Sequence, residues 1–185
     1  MKMLKTNWVC ALAMLAAACG DGKSHEPQST PSAAVEEKAP EVPAQPSNSR
    51  LELRLTGTNA GTTSTVLLGV RDIRVAYAGR ELRVDMAKEP MDLSDGQRTW
   101  LAGTFDVPAE ADTIQVALYL DDYGGFVDAA GSGEIDARGL PIRFEAPVKR
   151  LRASGRAVVS LDLGRSLMDA GEERKVLLPQ YGVSY

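Results

Sequence analysis

Asp121, Asp122 and Asp128, with Glu134 and Asp136 close behind, form the densest set of carboxylates in the chain, inside a glycine-rich stretch. Calcium takes about six to eight oxygen ligands, and carboxylates on such a loop are suitable donors. The spacing matches no EF-hand loop, and a solvated turn capping strand ends would use the same residues. Asp121, Asp122 and Asp128 are therefore metal candidates with no metal assigned. A second cluster, Lys149, Arg150, Arg152 and Arg156, surrounds a turn at Ser154-Gly155. Its chemistry suits anionic lipid head groups or polysaccharide, or simply solvent-facing strand positions. Trp100, Tyr119, Tyr123 and Phe126 supply rings on which a sugar could stack, with Trp100 and Tyr123 as the binding candidates. A mixture of core and rim aromatics is the plainer alternative. Carboxylates abound, but none sits in a recognisable catalytic motif. No catalytic residue and no cofactor are assigned, and the chain is read as not an enzyme.

Much chemistry is excluded by what is missing. The single histidine, His25, and both cysteines, Cys10 and Cys19, lie within the first 25 of 185 residues. Residues 26–185 therefore lack a Ser-His-Asp or Cys-His nucleophile system. They also lack the donors for a Cys/His zinc site, a haem or an iron–sulfur cluster, and for an internal disulfide. From residue 50 onward there are 17 basic and 20 acidic residues. That balance shows no basic excess, so nucleic acid is not an expected partner.

The amino-terminal residues read as an address. Lys2 and Lys5 precede an uncharged apolar run from Trp8 to Ala18, the pattern of a secretory leader. The run is shorter than the ~20 residues a membrane-spanning helix needs. Leu15-Ala16-Ala17-Ala18-Cys19-Gly20 resembles the lipobox of bacterial lipoproteins. The resemblance implies that the Cys19 thiol receives a diacylglyceryl group, that residues 1–18 are removed as signal peptide, and that fatty-acyl chains such as palmitate hold Cys19 in a membrane. Ala16-x-Ala18 also fits ordinary secretion with cleavage at the same bond. Cys10 leaves with the leader. In the enterobacterial sorting rule, aspartate directly after the cysteine favours inner-membrane retention. Gly20 stands there instead, which points to the outer membrane, with the domain facing the periplasm or the surface.

Residues 19–49 carry the lipidated terminus and then a linker. Five of the ten prolines fall here, and there is no Leu, Ile, Met, Phe, Tyr or Trp. Such a segment buries too little apolar surface to offset its ordering entropy, so disorder stiffened by proline is expected. His25 lies within it.

From Arg50 the composition changes. Leu51-Glu-Leu53-Arg-Leu55 alternates with period two, as a half-buried strand does. Val66, Leu68 and Val70 share one face, then Ile73, Val75 and Tyr77 carry it. A bulge near Arg71-Asp72 accounts for that slip. Ala78-Gly79-Arg80 is a tight turn, with Leu82, Val84 and Met86 on the return strand. Further strands are expected at Met91–Leu93, Trp100–Val107, Thr113–Leu120 and Ala157–Leu163, and at Pro141–Ala146 as an edge strand. Residues 121–139 read as loop, and only Arg165–Lys175 as a short helix, with Glu172-Glu173 on its solvated face. Val176–Leu178 and Tyr181–Tyr185 form a last strand pair around Pro179. Tyr181–Tyr185 offers either an edge for strand addition or a flexible tail. Short strands with turns between them predict an all-β, antiparallel β-sandwich, immunoglobulin-like or transthyretin-like, over residues 50–185.

Several segments carry a further resemblance. Thr65–Val75 resembles a V-x-V-x-I-x-x-V-x-V strand. Met91-Asp-Leu93 resembles a short D-L element. Phe105–Ala109 through Ile114–Leu118 and Val159–Leu167 resemble two later segments of the same family. Together they are similar to domain-of-unknown-function family 4382 of bacterial and archaeal envelope lipoproteins, over most of residues 50–168. The family implies the sandwich and the anchor but no reaction. The expected function is a lipid-anchored, non-catalytic binding or scaffolding module of an envelope or surface assembly. The expected partners are the membrane through Cys19 and envelope proteins or surface polysaccharide. The alternatives are a carbohydrate-binding accessory module and, after it, a carboxylate-based hydrolase.

Overall fold

The computed structural model describes residues 50–171 and 173–185. The leader, Cys19, the proline-rich segment with His25, and Glu172 lie outside the described residues. In chain order the strands are β1 (Leu51–Thr58), β2 (Thr65–Leu68), β3 (Val70–Tyr77), β4 (Arg80–Leu82), β5 (Val84–Met86), β6 (Met91–Asp92), β7 (Trp100–Phe105) and β8 (Thr113–Leu120). There follow β9 (Tyr123–Asp128), β10 (Gly131–Asp136), β11 (Ile142–Pro147), helix α1 (Val148–Ser154), β12 (Arg156–Asp162), the single turn α2 (Leu163–Ser166), β13 (Leu167–Asp169), β14 (Arg174–Leu177) and β15 (Tyr181–Ser184).

These strands make an all-β sandwich of three sheets and no closed barrel. The first sheet runs β15-β12-β1-β7-β5, the second β13-β14-β10-β9-β2-β6 and the third β11-β8-β3-β4. The second and third share long strands. Only Gly69 separates β2 from β3, and only Asp121-Asp122 separates β8 from β9. Period-two alternation turns every second side chain inward. The inward rows meet in one aliphatic core, where Leu53, Leu55, Val66, Val75, Leu118, Ile135 and Val159 expose nothing.

The bulge is where the alternation slips: the β3–β8 register shifts between Val70 and Asp72. The Ala78-Gly79 turn has both central residues left-handed, φ 48° and 76°, the primed geometry whose twist matches a hairpin. Strand β11 is an edge strand as expected. Leu82, Val84 and Met86 are not one strand, however. β4 pairs with β3, then the chain crosses at Arg83 so that β5 pairs with β7 of the first sheet.

Other segments depart from the sequence expectation. β1 pairs with β12 in parallel, as β10 does with β14, within an otherwise antiparallel arrangement. Alternation specifies which side chains face inward, not the direction of the neighbouring strand. Residues 123–136 are a hairpin rather than a loop, with Phe126 and Ile135 as its buried contacts. Residues 148–154 form α1, with Val148 and Leu151 inward and Gly155 left-handed at its end. Residues 165–175 are mostly not helical. α2 stops at Ser166, and β13 and β14 pair as a hairpin. The last two strands do not pair with each other. β14 joins the second sheet, and β15 binds β12 in the first, so Tyr181–Ser184 is no flexible tail.

One close approach fixes a glycine. A Cβ on Gly57 of β1 would stand 2.0 Å from the Leu93 carbonyl oxygen and 2.8 Å from Leu163 Cδ1. Backbone on one side and core on the other leave nothing able to give way. Gly182 of β15 has open space at the same position. Gly57→Ala should therefore lower the unfolding free energy by about 1–3 kcal/mol, while Gly182→Ala leaves it within about 0.5 kcal/mol. Urea melts of the two variants beside the parent check this, and equal midpoints for all three would refute it.

Candidate functional site

The outward face of the third sheet carries a groove of about 580 Å³. Strand register builds it. Arg74 lies opposite Ala117, and Ala117 lies opposite Arg143. The next row holds Ala76, Gln115 and Glu145. The floor is thus short side chains, rimmed by two guanidinium groups. Arg74 Nε donates to Asp72 Oδ2 at 2.8 Å, and its guanidinium lies 5.2 Å from the Tyr119 ring centroid. That bond to Asp72 is the main reason its pKa is raised, so its charge is committed.

Arg143 differs. Among the described residues its guanidinium has no ion-pair or hydrogen-bond partner. Its backbone is held on both sides: the Tyr181 hydroxyl accepts from Arg143 N–H at 3.2 Å and donates to Arg143 O at 2.5 Å. A rigid strand thus presents a free planar fork, the group suited to bidentate capture of carboxylate or phosphate. The polar phase of each strand is visible in the sequence, but the register that aligns Arg74, Ala117 and Arg143 is not. That is why the groove escaped sequence reasoning.

The metal candidates do not converge. Asp121 sits in the break between β8 and β9, its N–H donating to Gly69 O at 2.9 Å. Asp122 pairs with Arg71. Asp128 meets Lys175 at 3.3 Å, Glu134 meets Arg174 at 3.3 Å, and Asp136 meets Arg138 at 2.6 Å. Each of these four carboxylates thus faces its own cation. Among the described residues no three His, Cys, Asp or Glu side chains gather as a metal site would require.

A second concavity, about 630 Å³, contains Phe126, Asp128, Asp169 and Lys175. Lys175 Nζ touches Asp169 at 2.7 Å and Asp128 at 3.3 Å. A pair of carboxylates in a cleft is the hydrolase arrangement, but that reaction needs one of them kept protonated as the acid. Here Asp128 is shifted the other way, chiefly by accepting the Ala130 N–H, with Lys175 adding to it against burial. Asp92 is also lowered: burial works against ionisation but is outweighed by the Val66 N–H and by Ser94. Lys175 is raised, first by Asp169. The cleft therefore holds one ammonium bridging two carboxylates, with Asp128 shifted away from the acid's part.

The aromatics form no platform. Trp100 is on the first sheet, Tyr123 and Phe126 on the second, and Tyr119 on the third. Trp100 Nε1 donates to Asp92 O at 2.8 Å, and Arg98 stacks 3.5 Å from its ring centroid. Arg138 lies 5.1 Å from the Tyr123 ring. Phe126 is buried, beneath Lys175 at 4.6 Å. A cation thus stands over each of these rings, and the rings lie on different sheets rather than side by side.

The basic cluster is brought together. Lys149, Arg150 and Arg152 project from α1, and Arg156 follows Gly155. Arg152 donates to the carbonyls of Ala109 at 3.0 Å and Pro108 at 2.6 Å. Lys149, Arg150 and Arg156 are exposed and make no ion pair among the described residues.

Fold and site together define an all-β sandwich with a guanidinium-rimmed groove on one sheet and a basic helix at one end. The chain matches no family model, and no curated protein and no solved structure matches it.

Asp136 carries the largest carboxylate shift that can be tested directly. Arg138, through its guanidinium and its N–H, holds it at about 2. A carboxylate depressed in the fold stabilises it above the unfolded value near 4, and that contribution is lost as the pH falls from about 4 to about 2. Arg138→Gln should move the Asp136 titration upward and leave less of this stabilisation to lose over that interval. Carbon-detected NMR titration of the carboxyl checks both. A parent Asp136 titrating near 4 would contradict the pairing.

Proposed function

We propose that the chain is a lipid-anchored, non-catalytic binding module of the bacterial cell envelope, delivered to the outer membrane and facing the periplasm or the surface. The observation that carries this is Cys19, placed directly after Leu15-Ala16-Ala17-Ala18 at the junction of an apolar leader and a proline-rich segment. The absence of His and Cys from residues 26–185 supports the non-catalytic part. So does the direction in which the shifted carboxylates move. The strand patterns similar to domain-of-unknown-function family 4382 fit an envelope lipoprotein. Mass spectrometry of membrane-extracted protein should find a diacylglyceryl-modified Cys19 as the first residue, and Cys19→Ser should abolish it. An unmodified amino terminus at that position, or recovery of the protein from culture fluid without detergent, would overturn the reading.

The groove on the third sheet favours a second reading, an accessory module for an acidic polysaccharide. In this reading Arg143 receives a sugar carboxylate, and Trp100 and Tyr123 play no part. Retention on a polyuronate resin should fall about ten-fold or more with Arg143→Ala, the loss expected for one charge-assisted bidentate contact. Trp100→Ala should leave retention unchanged. Equal retention of parent and Arg143→Ala would remove this reading.

A further inference from the structure

The described chain begins at Arg50, and β1 starts at the next residue. Its Glu52 N–H donates to Gly155 O at 3.0 Å, and Glu52 lies opposite Arg156. The point where the proline-rich segment joins the sandwich is therefore beside the carboxyl end of α1. Residues 148–156 hold four cations and no carboxylate, in a domain whose acidic residues outnumber its basic ones. Elsewhere Arg54, Arg71, Arg74, Arg138 and Arg174 each face a carboxylate within 4 Å. Lys149, Arg150 and Arg156 do not, among the described residues, and unlike Arg80, Lys88, Arg98, Arg143 and Arg165, which also lack an ion pair, they stand together within one short stretch. Arg50 is offset by Asp85. Glu110 and Asp112 share this end on the turn before β8, where Asp112 O accepts the Val148 N–H at 2.8 Å, and neither makes an ion pair among the described residues. Beside Arg150 a cleft of about 530 Å³ runs between α1 and β15, bordered by Ser154 and Tyr185.

We infer that this α1 end is a contact surface for anionic lipid head groups, which lays the sandwich against the bilayer that holds Cys19. The inference rests on the anchor proposed above, because the anchor makes a bilayer the nearest extended anion. Exposed cations act on a charged surface within a Debye length, roughly 8–10 Å. A tether joining the domain beside its unpaired cations holds them at high effective concentration near that surface. Lys149, Arg150 and Arg156 touch head groups, Arg152 braces the turn at Pro108-Ala109, and the cleft beside Arg150 seats a phosphate.

The test uses the native lipidated protein in vesicles of phosphatidylcholine alone and of phosphatidylcholine mixed with phosphatidylglycerol. Hydrogen exchange in peptides covering residues 149–156 should slow several-fold only when phosphatidylglycerol is present, and should recover at high salt. Each removed cation lowers the surface-bound population by about five-fold, and each added carboxylate lowers it further, so the triple variant Lys149→Glu, Arg150→Glu, Arg156→Glu should lose at least about a hundred-fold and show no slowing. Arg165→Glu, at the far end of β12, should behave as the parent. Identical exchange on both vesicle types, or slowing that survives in the triple variant, would overturn the inference while the anchor stands. Protein that fails to float even with phosphatidylcholine vesicles would overturn anchor and inference together. Slowing produced by added soluble polyuronate and not by phosphatidylglycerol would assign the patch to polysaccharide and equally overturn it.

Discussion

Strand β1 is hydrogen-bonded along both edges, to β12 in parallel and to β7 antiparallel. Its inward row, Leu51, Leu53 and Leu55, is fully buried, and truncating one such leucine to alanine costs about 2–5 kcal/mol. The parallel partner of Leu53 is Ala157. The chain between them builds the whole third sheet and four of the six strands of the second before it returns. The first sheet cannot be completed until that long excursion is ordered, so its central ladder depends on contacts of high sequence separation, the kind that fold slowly. The same strand is the first element after the proline-rich segment. Tension along that segment is thus borne by a strand paired on both sides rather than by an edge.

Alternation made most strands legible. Leu51-x-Leu53-x-Leu55, Ile114-x-Val116-x-Leu118 and Val159-x-Leu161 each have their apolar phase buried. The parts that stayed hidden have physical reasons. The β9–β10 hairpin presents Gly124, Gly125, Gly131 and Gly133, so few apolar side chains mark its phase. Gly133 is required there, because a Cβ would stand 2.3 Å from the Glu173 carbonyl oxygen. Helix α1 has only Val148 and Leu151 to bury, one i, i+3 pair, too little to show a period of 3.6. The acidic run 121–136 was legible as residue types, but its meaning was not. Arg71 is 51 positions from Asp122, and Arg174 is 40 from Glu134, so neutralisation by distant cations appears only in the fold.

Those pairings shape the surface more than the stability. Most are exposed, and an exposed ion pair contributes about 0–1 kcal/mol. Their effect is to cancel charge locally over the β9–β10 hairpin and along β3. Among the described residues the exposed cations without an ion pair include Arg80, Lys88, Arg98 and Arg165 at separate positions, Arg143 on the open face of the third sheet, and Lys149, Arg150 and Arg156 together at the α1 end. The aromatic rings follow the same logic, since Arg98 over Trp100 and Arg138 over Tyr123 use cation–π contact where a ligand would otherwise stack.

Strand addition is the remaining way for such a fold to bind a partner, and the edges argue against it. Each sheet has two edge strands. β5, β4 and β13 have three residues each and β6 has two, too short to template a partner strand. β15 has four residues. The six-residue β11 is the longest, and it is the one closed by side chains. Tyr181 occupies both backbone groups of Arg143, Tyr185 donates to Glu145 O at 3.2 Å, and Pro147 has no N–H to offer. Both tyrosines come from the C-terminal segment that, by sequence alone, was itself a candidate edge. That segment spends its phenols sealing the neighbouring edge. The short edges and the sealed β11 leave the faces and ends of the sandwich as its open surface, and Arg143 and the Lys149, Arg150 and Arg156 group lie there.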